Sequence, residues 1–421
     1  MAIAIMASRA INAEKPRLFC RSNRFAMNLE YPKKSAYYCI KVHCMMRFLL
    51  AFFCITYLVN DCIGQVVVGA DHERLYMTRL QSKRIALVVN QTSRKGNQHL
   101  VDALWDEGLD IGAIFAPEHG FRGDADAGER VADASLDSIP VYSLYGSCKK
   151  PSAAQLKGID LVVFDIQDVG IRFYTYISTM TYVMEACAEL DIPVIVFDRP
   201  NPFTDVVDGP TLDPEFSSFV GLHEVPVIYG MTIGEYALMV KGEGWIKNAS
   251  SLDLRIVPLQ NYRRNIDYSF PVKPSPNLPN MHSIGWYPSL CFFEGTVVSV
   301  GRGTNFPFQA YGHPALSYGS FSFTPKPNGG SSRPKLNGQL CGAIDLRETA
   351  PPHDLDLSHL YNAYHDIKGD FFLSNNFIDL LYGSDRLRLM LEEGKTVEEI
   401  ESTWQSDLDS FIEIRAKYLL Y

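Results

Sequence analysis

The sequence predicts an α/β protein: a Rossmann-like, mostly parallel sheet domain followed by a smaller C-terminal α+β domain. Three observations carry this. Short, almost fully apolar runs alternate with amphipathic stretches between residues 84 and 259, the pattern of strands buried on both faces. Pro, Gly and Asn then concentrate between 264 and 342 around short strand-like runs. Beyond these, the chain returns to helical spacing.

Arg84–Asn90 (RIALVVN) is the first strand, and His99–Glu107 has the spacing of a helix. Ile111–Pro117 is the second strand, Ile139–Tyr145 a weaker third, and Asp160–Asp165 a near-continuous buried fourth. Thr179–Leu190 reads as a helix, Pro193–Asp198 as another buried strand, Thr232–Val240 as a helix and Leu254–Leu259 as a last strand. A boundary near residue 264 divides this sheet domain (65–263) from the second domain (264–421). There Pro271–Pro288 is rich in Pro, Asn and Ser, Thr296–Val300 is a short strand, and Thr396–Leu408 and Phe411–Leu420 have helical periodicity.

Residues 1–64 are a different kind of sequence. They hold nine Lys/Arg against three Asp/Glu, whereas the whole 421-residue chain has 39 against 48, a net charge of −9. The body from residue 65 therefore carries 30 basic and 45 acidic side chains, which argues against a general nucleic-acid binder. Within the leader, Met45-Met46-Arg47 precedes the apolar run Phe48–Val59, and Asn60-Asp61-Cys62-Ile63-Gly64 follows. A basic flank, a 12-residue apolar stretch and a nearby small residue form a secretory signal pattern, too short for a stable membrane span. An exported protein is expected, with translation starting at Met45 or Met46. A lipid anchor at Cys62 lacks the small apolar residues that should precede it. The four cysteines beyond the leader, Cys148, Cys187, Cys291 and Cys341, are too scattered for a zinc site.

Several familiar sites are excluded. No G-x-G-x-x-G follows the first strand, so no dinucleotide is expected. Gly394-Lys395-Thr396 has Leu389 where a phosphate loop needs its first glycine, His223-Glu224 has no second histidine four residues on, and no G-x-S-x-G is present. Neither cofactor nor metal is expected.

In parallel α/β sheets, ligands bind beyond the carboxyl ends of the strands. Three predicted strands deliver polar groups to that rim. The second ends in Pro117-Glu118-His119-Gly120-Phe121-Arg122-Gly123. The fourth runs into Asp165-Ile166-Gln167-Asp168-Val169-Gly170-Ile171-Arg172-Phe173-Tyr174-Thr175-Tyr176, and the next into Asp198-Arg199-Pro200-Asn201-Pro202. The first strand adds Asn90 and Thr92. Glu118 is the sharpest candidate, because it follows an apolar strand, precedes a Gly-bearing turn and has no helix to cap. Asp165 and Asp198 suit helix capping or pairing with Arg172 and Arg199 as well as they suit function. His119 either orients a neighbour or transfers a proton, and Tyr174 and Tyr176 either pack in a core or offer a platform to a sugar. In the second half, Pro274–Pro279 presents Asn277, Glu294 precedes the short strand, and Gly301-Arg302-Gly303-Thr304 follows it. An arginine between glycines suits bidentate capture of a carboxylate or phosphate; its plain alternative is a turn.

Taken in order, V-V-N-Q-T (88–92), P-E-H-G-F-R-G (117–123), D-I-Q-D-V-G-x-R-F-Y-T-Y (165–176), D-R-P-N-P (198–202), P-S-P-N-L-P (274–279), F-E-G-T (293–296), G-R-G-T (301–304) and the terminal R-A-K-Y-L-L-Y (415–421) resemble the exo-β-N-acetylmuramidase (NamZ-type) family, long carried as a domain of unknown function. The resemblance covers roughly 70–421. It implies a bacterial, periplasmic or extracellular glycosidase that releases N-acetylmuramic acid from the non-reducing end of peptidoglycan fragments. It also implies a cleft between the two domains and a catalytic glutamate at Glu118. One departure is Gln91, where the family pattern leads one to expect histidine. Cys148, in Y-G-S-C-K-K, is a second.

The residue chemistry fits a glycosidase, which needs a protonated carboxyl at the leaving oxygen and a group stabilising the oxocarbenium-like centre. Glu118, near Phe115 and Phe121, is the candidate acid. The partner is either Asp168 or the substrate's own 2-acetamido group, polarised by Asp165, Asp168 or Tyr174. Arg172 and Arg302 are candidates for the lactyl carboxylate of muramic acid, and Asn90, His119, Gln167, Tyr176, Asn201, Asn277 and Glu294 for the rest of the sugar. Loops 201–230 and 301–320 are long enough to close one end of the pocket for an exo mode. Two readings from other classes compete: a non-catalytic wall-fragment binding protein, and a phosphate-ester or nucleotide-sugar enzyme on the same sheet.

Overall fold

The computed structural model describes residues 64–121, 134–136 and 138–421. The expected leader with its apolar run, and Arg122-Gly123, lie outside them. Seven strands form the main sheet: β1 (Arg84–Val89), β2 (Asp110–Ala116), β3 (Ala134–Leu136), β4 (Ile139–Ser143), β5 (Leu161–Asp165), β6 (Val194–Phe197) and β7 (Leu254–Val257). Their order is β3-β4-β2-β1-β5-β6-β7, parallel throughout except for the β3–β4 edge pair. The six parallel strands alone follow the doubly wound order, whose crevice opens where the winding reverses. That reversal lies between β1 and β5, which pair from Ile85↔Leu161 to Val89↔Asp165. The loops beginning at Asn90 and Ile166 therefore leave the sheet side by side.

Both faces of the sheet are covered, which is why its strands read as continuous apolar runs. Ala86 and Val88 face a large core, while Ile85, Leu87 and Val89 face a second one built with helices α1 (Glu73–Leu80) and α2 (Leu100–Asp106). Helix α3 (Tyr176–Glu189) fills the larger core with Ile177, Met180, Val183, Met184 and Cys187, and starts earlier than its sequence pattern suggests. Helix α4 (Ile233–Gly242) opens on a capping box of Thr232 and Glu235. Asp198, at the end of β6, accepts hydrogen bonds from the Gly234 amide and the Thr232 hydroxyl, both at 2.8 Å, and so ties strand to helix.

The second half departs more from expectation. Helix α5 (Met281–Leu290) lies inside the Pro-rich stretch, started by an Asn280–Ser283 capping box, with Pro288 in its last turn. Thr296–Val300 forms no strand, only isolated bridges from Thr296 to Phe372 and from Ser299 to Gly312. The Lys335 ammonium donates to the carbonyls of Phe293, Thr296 and Val298, which replaces ladder partners there. A three-stranded antiparallel sheet follows, β8 (Ala310–His313), β9 (Phe321–Phe323) and β10 (Cys341–Asp345), with β10 central. Five helices close the chain: α6 (Ser358–Asp366), α7 (Phe377–Tyr382), α8 (Arg386–Glu392), α9 (Val397–Glu401) and α10 (Gln405–Arg415). A 3-10 turn at Ser402–Trp404 breaks the single helix expected over 396–408. The larger core runs on through both halves, from Ala86 to Phe411, so residues 64–421 form one compact unit. Cys187, Cys291 and Cys341 are buried free thiols, and Cys148 is a half-buried one.

Candidate active site

The β2 strand ends in a tight turn. The Gly120 amide donates to the Pro117 carbonyl at 3.0 Å, and His119, the third residue, has φ of 70°. Positive φ at that place defines a type II turn, which prefers glycine there; a histidine tolerates it at a cost of about 1 kcal/mol or more. His119 is buried, while Glu118 projects half-exposed from the turn. The Thr175 hydroxyl, at the start of α3, donates to Glu118 Oε2 at 2.8 Å. This bond fixes a carboxylate from one strand end against the loop following another.

That loop supplies Asp168, Tyr174 and Tyr176. Asp168 is buried; its Oδ2 accepts from the Tyr229 hydroxyl and, at 2.7 Å, from the Gly170 amide. Burial pushes its pKa up to about 6, against the opposing pull of these donors. Tyr174 packs edge-on against Tyr176, with ring centres 4.7 Å apart, and against Tyr287 of α5 at 5.9 Å. Tyr287 in turn meets Phe308, and the Arg302 guanidinium lies 5.0 Å from the Phe308 ring centre. Arg302 Nε donates to Glu294 at 3.0 Å. Burial disfavours the Glu294 anion, but Arg302 and Lys335 outweigh it and hold its pKa low. A line of rings thus joins the Arg302–Glu294 pair to the rim that carries Glu118.

Asn90 and Gln91 bring the β1 end into the same place. Asn90 Oδ1 accepts from the Thr92 amide (2.9 Å) and hydroxyl (2.6 Å). Gln91 Nε2 donates to the carbonyls of Lys273 (3.2 Å) and Pro274 (2.9 Å), and the Tyr176 hydroxyl donates to Pro274 as well, at 3.1 Å. The Tyr176 hydroxyl is hydrogen-bonded to the Asn90 and Tyr174 side chains, and two buried polar atoms here have no hydrogen-bond partner, Gln91 Oε1 and Asp168 Oδ1. Each such atom costs about 1–3 kcal/mol, so native structures keep few of them.

Five residues expected to face a ligand do other work. Arg172 is fully buried and donates to four carbonyls, those of Pro210, Val225, Leu381 and Tyr382, at 2.6–3.0 Å. Burial lowers its pKa to about 9, and it acts as a strut between two distant segments, not as a carboxylate receptor. Asp165 is also fully buried and forms a bidentate pair with Arg199, at 2.6 and 2.8 Å. Gln167 donates to the Asp168 and Pro200 carbonyls, Asn201 to Met231, and Asn277 to Gly330, so their amides hold loops together. Loop 201–230 carries a tight hairpin at Ser218–Gly221, and loop 301–320 contains β8. Thr175, Tyr229 and Tyr287 were not singled out from sequence. Thr175 stood inside a quoted motif, but Tyr229 and Tyr287 come from segments without a strand-end signal.

A separate cavity of about 340 Å³ lies between loop 210–214 and α10, lined by Tyr382, Arg386, Trp404 and Phe411 among others but not by Glu118, Asp168 or Tyr174. Among the described residues, no group of three His, Cys, Asp or Glu could hold a metal, and no helix is long and apolar enough to cross a membrane.

Carboxylates gathered beyond the strand ends of a doubly wound sheet are the arrangement of an α/β enzyme. The family models for the N-terminal and C-terminal domains of exo-beta-N-acetylmuramidase NamZ match residues 85–282 and 285–421. The chain therefore belongs to the NamZ exo-β-N-acetylmuramidase family of glycosidases. It is 39% identical over 380 residues to the peptidoglycan beta-N-acetylmuramidase NamZ of Bacillus subtilis, covering 82% of this chain and 89% of that protein. Crystal structures of two DUF1343 family proteins of Bacteroides fragilis share its fold. One has a TM-score of 0.77 at 42% identity and the other 0.72 at 27%; each match covers 85% of this chain and 99% of the solved one.

Proposed function

We propose that this protein is an exported exo-β-N-acetylmuramidase that releases N-acetylmuramic acid from the non-reducing end of peptidoglycan fragments, with Glu118 as the general acid. The observation that carries the reading is the Glu118 carboxylate, half-exposed on a strained strand-end turn and fixed by Thr175 beside the Asp168–Tyr174–Tyr176 loop. The similarity to a peptidoglycan β-N-acetylmuramidase supplies the substrate class. Protonated Glu118 assists departure of the glycosidic oxygen, and positive charge grows at the anomeric carbon. Asp168, buried and braced by Tyr229, is suited to stabilise that charge or to orient the 2-acetamido group, and too enclosed to activate a bulk water itself. Arg302, with its Nε on Glu294, is the receptor for the lactyl carboxylate. Export rests on the basic flank and apolar run of 45–59 and predicts a periplasmic or extracellular enzyme. N-terminal sequencing of the secreted chain checks it, since a mature protein that retains Phe48–Val59 has no cleaved signal.

Incubation with a MurNAc–GlcNAc disaccharide, followed by proton NMR of the products, tests the activity and shows the configuration of the released sugar. Glu118→Gln should lower turnover about 10²–10⁴-fold in a protein that remains folded. Near-wild-type turnover would remove Glu118 from the acid role, and intact disaccharide with the wild-type enzyme would overturn the reading as a whole.

A further inference from the structure

The glycine after Arg302 sets which segment the arginine packs on. Gly303, at φ 79°, has no room for a side chain: a Cβ there would lie 2.6 Å from the Lys326 carbonyl and 2.7 Å from Pro334. This close approach seats the Arg302 turn on the residue that precedes Lys335. The Lys335 ammonium then meets the carbonyls of Phe293 (2.9 Å), Glu294 (3.5 Å), Thr296 and Val298 (3.1 Å). An ammonium has donors only, so four carbonyl oxygens suit its charged form. Among the described residues no carboxylate pairs with it, and the Glu294 carboxylate is held by Arg302 Nε at 3.0 Å.

Two cations and one carboxylate thus share one place. Burial works against the Glu294 anion, and Arg302 and Lys335 together outweigh it; burial lowers the Lys335 pKa, and Glu294 opposes that. The titratable groups beside them are neutral near pH 7. Burial pushes the Tyr287 phenol and the Cys291 thiol up, and burial with Lys335 lowers His313. One positive charge is therefore left over. An arginine paired with a carboxylate is a neutral unit on its own and draws a second carboxylate only weakly. We propose that Lys335 is the positioning residue that makes this pair an anion receptor: its ammonium, held by backbone carbonyls and by no carboxylate, supplies the surplus charge that the lactyl carboxylate balances on the partly exposed Arg302. The same carbonyl bonds brace the 293–298 segment, which carries Glu294. The proposal rests on the muramidase reading and adds the residue that lets the enzyme select an acidic sugar.

Two probes of nearly equal shape read this charge by calorimetric titration: N-acetylmuramic acid and its lactyl amide. The wild-type protein should prefer the acid by about tenfold or more. Lys335→Met removes the charge at similar size and should bring the preference below about threefold. Glu294→Gln keeps the oxygen that accepts from Arg302 and removes only the negative charge, so it should raise the preference about threefold or more. The double variant regains the surplus of one and should return to within about threefold of wild type. A lysine that only braces its loop predicts otherwise: a double variant no better than Lys335→Met overturns the proposal, as does an unchanged preference in Lys335→Met. If Lys335→Met does not fold, Glu294→Gln decides alone, and a preference that fails to rise overturns the proposal. A wild-type protein that cleaves the disaccharide but binds acid and amide equally overturns the receptor and leaves the muramidase reading standing. One that neither binds the acid nor cleaves the disaccharide overturns that reading itself.

Discussion

Arg172 and Arg302 place the same guanidinium in opposite settings. Arg172 lies at 0% exposure with its terminal nitrogens on four carbonyls, whereas Arg302 is partly exposed with Nε on Glu294. An arginine in the first setting braces segments that are far apart in sequence, here 210–225 and 381–382. Arg172→Lys keeps the charge but loses the planar fork and has three donors for four carbonyls, so at least one carbonyl loses its donor. The expected cost is about 3 kcal/mol, read as a lower midpoint in urea unfolding, with the ratio of muramide to glucosaminide hydrolysis unchanged. Arg302→Ala should do the reverse: a modest stability change, and a loss on muramides at least tenfold greater than on glucosaminides, because only the former carry the lactyl carboxylate. Equal losses on both sugars would remove Arg302 from that role. Sequence alone ranked the two arginines together, since a motif shows that a guanidinium is present and says nothing of the carbonyls that a distant segment brings to it.

Elements were legible where one segment contains its own cause. The β1, β2, β5 and β6 strands are short apolar runs buried on both faces, with polar residues at their carboxyl ends, whereas β7 is an edge strand with Arg255 exposed. Elements that depend on a distant partner were not. Thr296–Val300 looks strand-like in sequence, yet Lys335 takes the Thr296 and Val298 carbonyls, together with those of Phe293 and Glu294 just before them. Helix α5 begins at an Asn280 cap hidden in a Pro-rich stretch, and with it the sequence concealed Tyr287, the ring that joins the two parts of the site. The last turn is a similar case. Helical spacing was expected to run to Leu420, but α10 stops at Arg415 and the tail docks back on the sheet. There the Tyr421 hydroxyl donates to Asp198 at 2.8 Å and accepts from the Leu259 amide at 2.7 Å, at the junction of β6, β7 and α4. Tyr421→Phe should destabilise by about 1–3 kcal/mol, because it leaves a buried carboxylate and an amide each short of a partner. Thermal unfolding checks this, and an unchanged melting temperature would mean that the tail is not part of the fold's support.

For the whole molecule, charge works locally. The body carries a net excess of acidic groups and draws no long-range attraction toward an anionic wall polymer, so under the proposed function recognition falls to single groups such as Arg302. Burial makes an ionised carboxylate costly, as Asp168 shows. Burial raises its pKa to about 6, above the value of about 3.9 expected in the unfolded chain. Between these values the folded protein binds more protons than the unfolded one, so the contribution of Asp168 is full below pH 4 and is lost as pH rises through 6. The difference of about two units corresponds to about 3 kcal/mol. Other groups act in the same window: Asp198 is pushed up to about 7 by burial, and His223 is lowered to about 4 by burial, which works in the opposite sense. Comparison with Asp168→Asn isolates the one group, because the amide can still accept from Tyr229 and Gly170 but does not titrate. Urea unfolding at pH 4.0, 5.5 and 7.5 should therefore show the variant gaining on wild type by up to about 3 kcal/mol across the series. Under the proposed mechanism, in which the same charge meets the developing positive centre, its turnover on a muramide at pH 7.5 should fall at least about 100-fold. A stability difference that stays flat from pH 4.0 to 7.5 would place the Asp168 pKa near its ordinary value and dissolve the trade between folding and catalysis at this site.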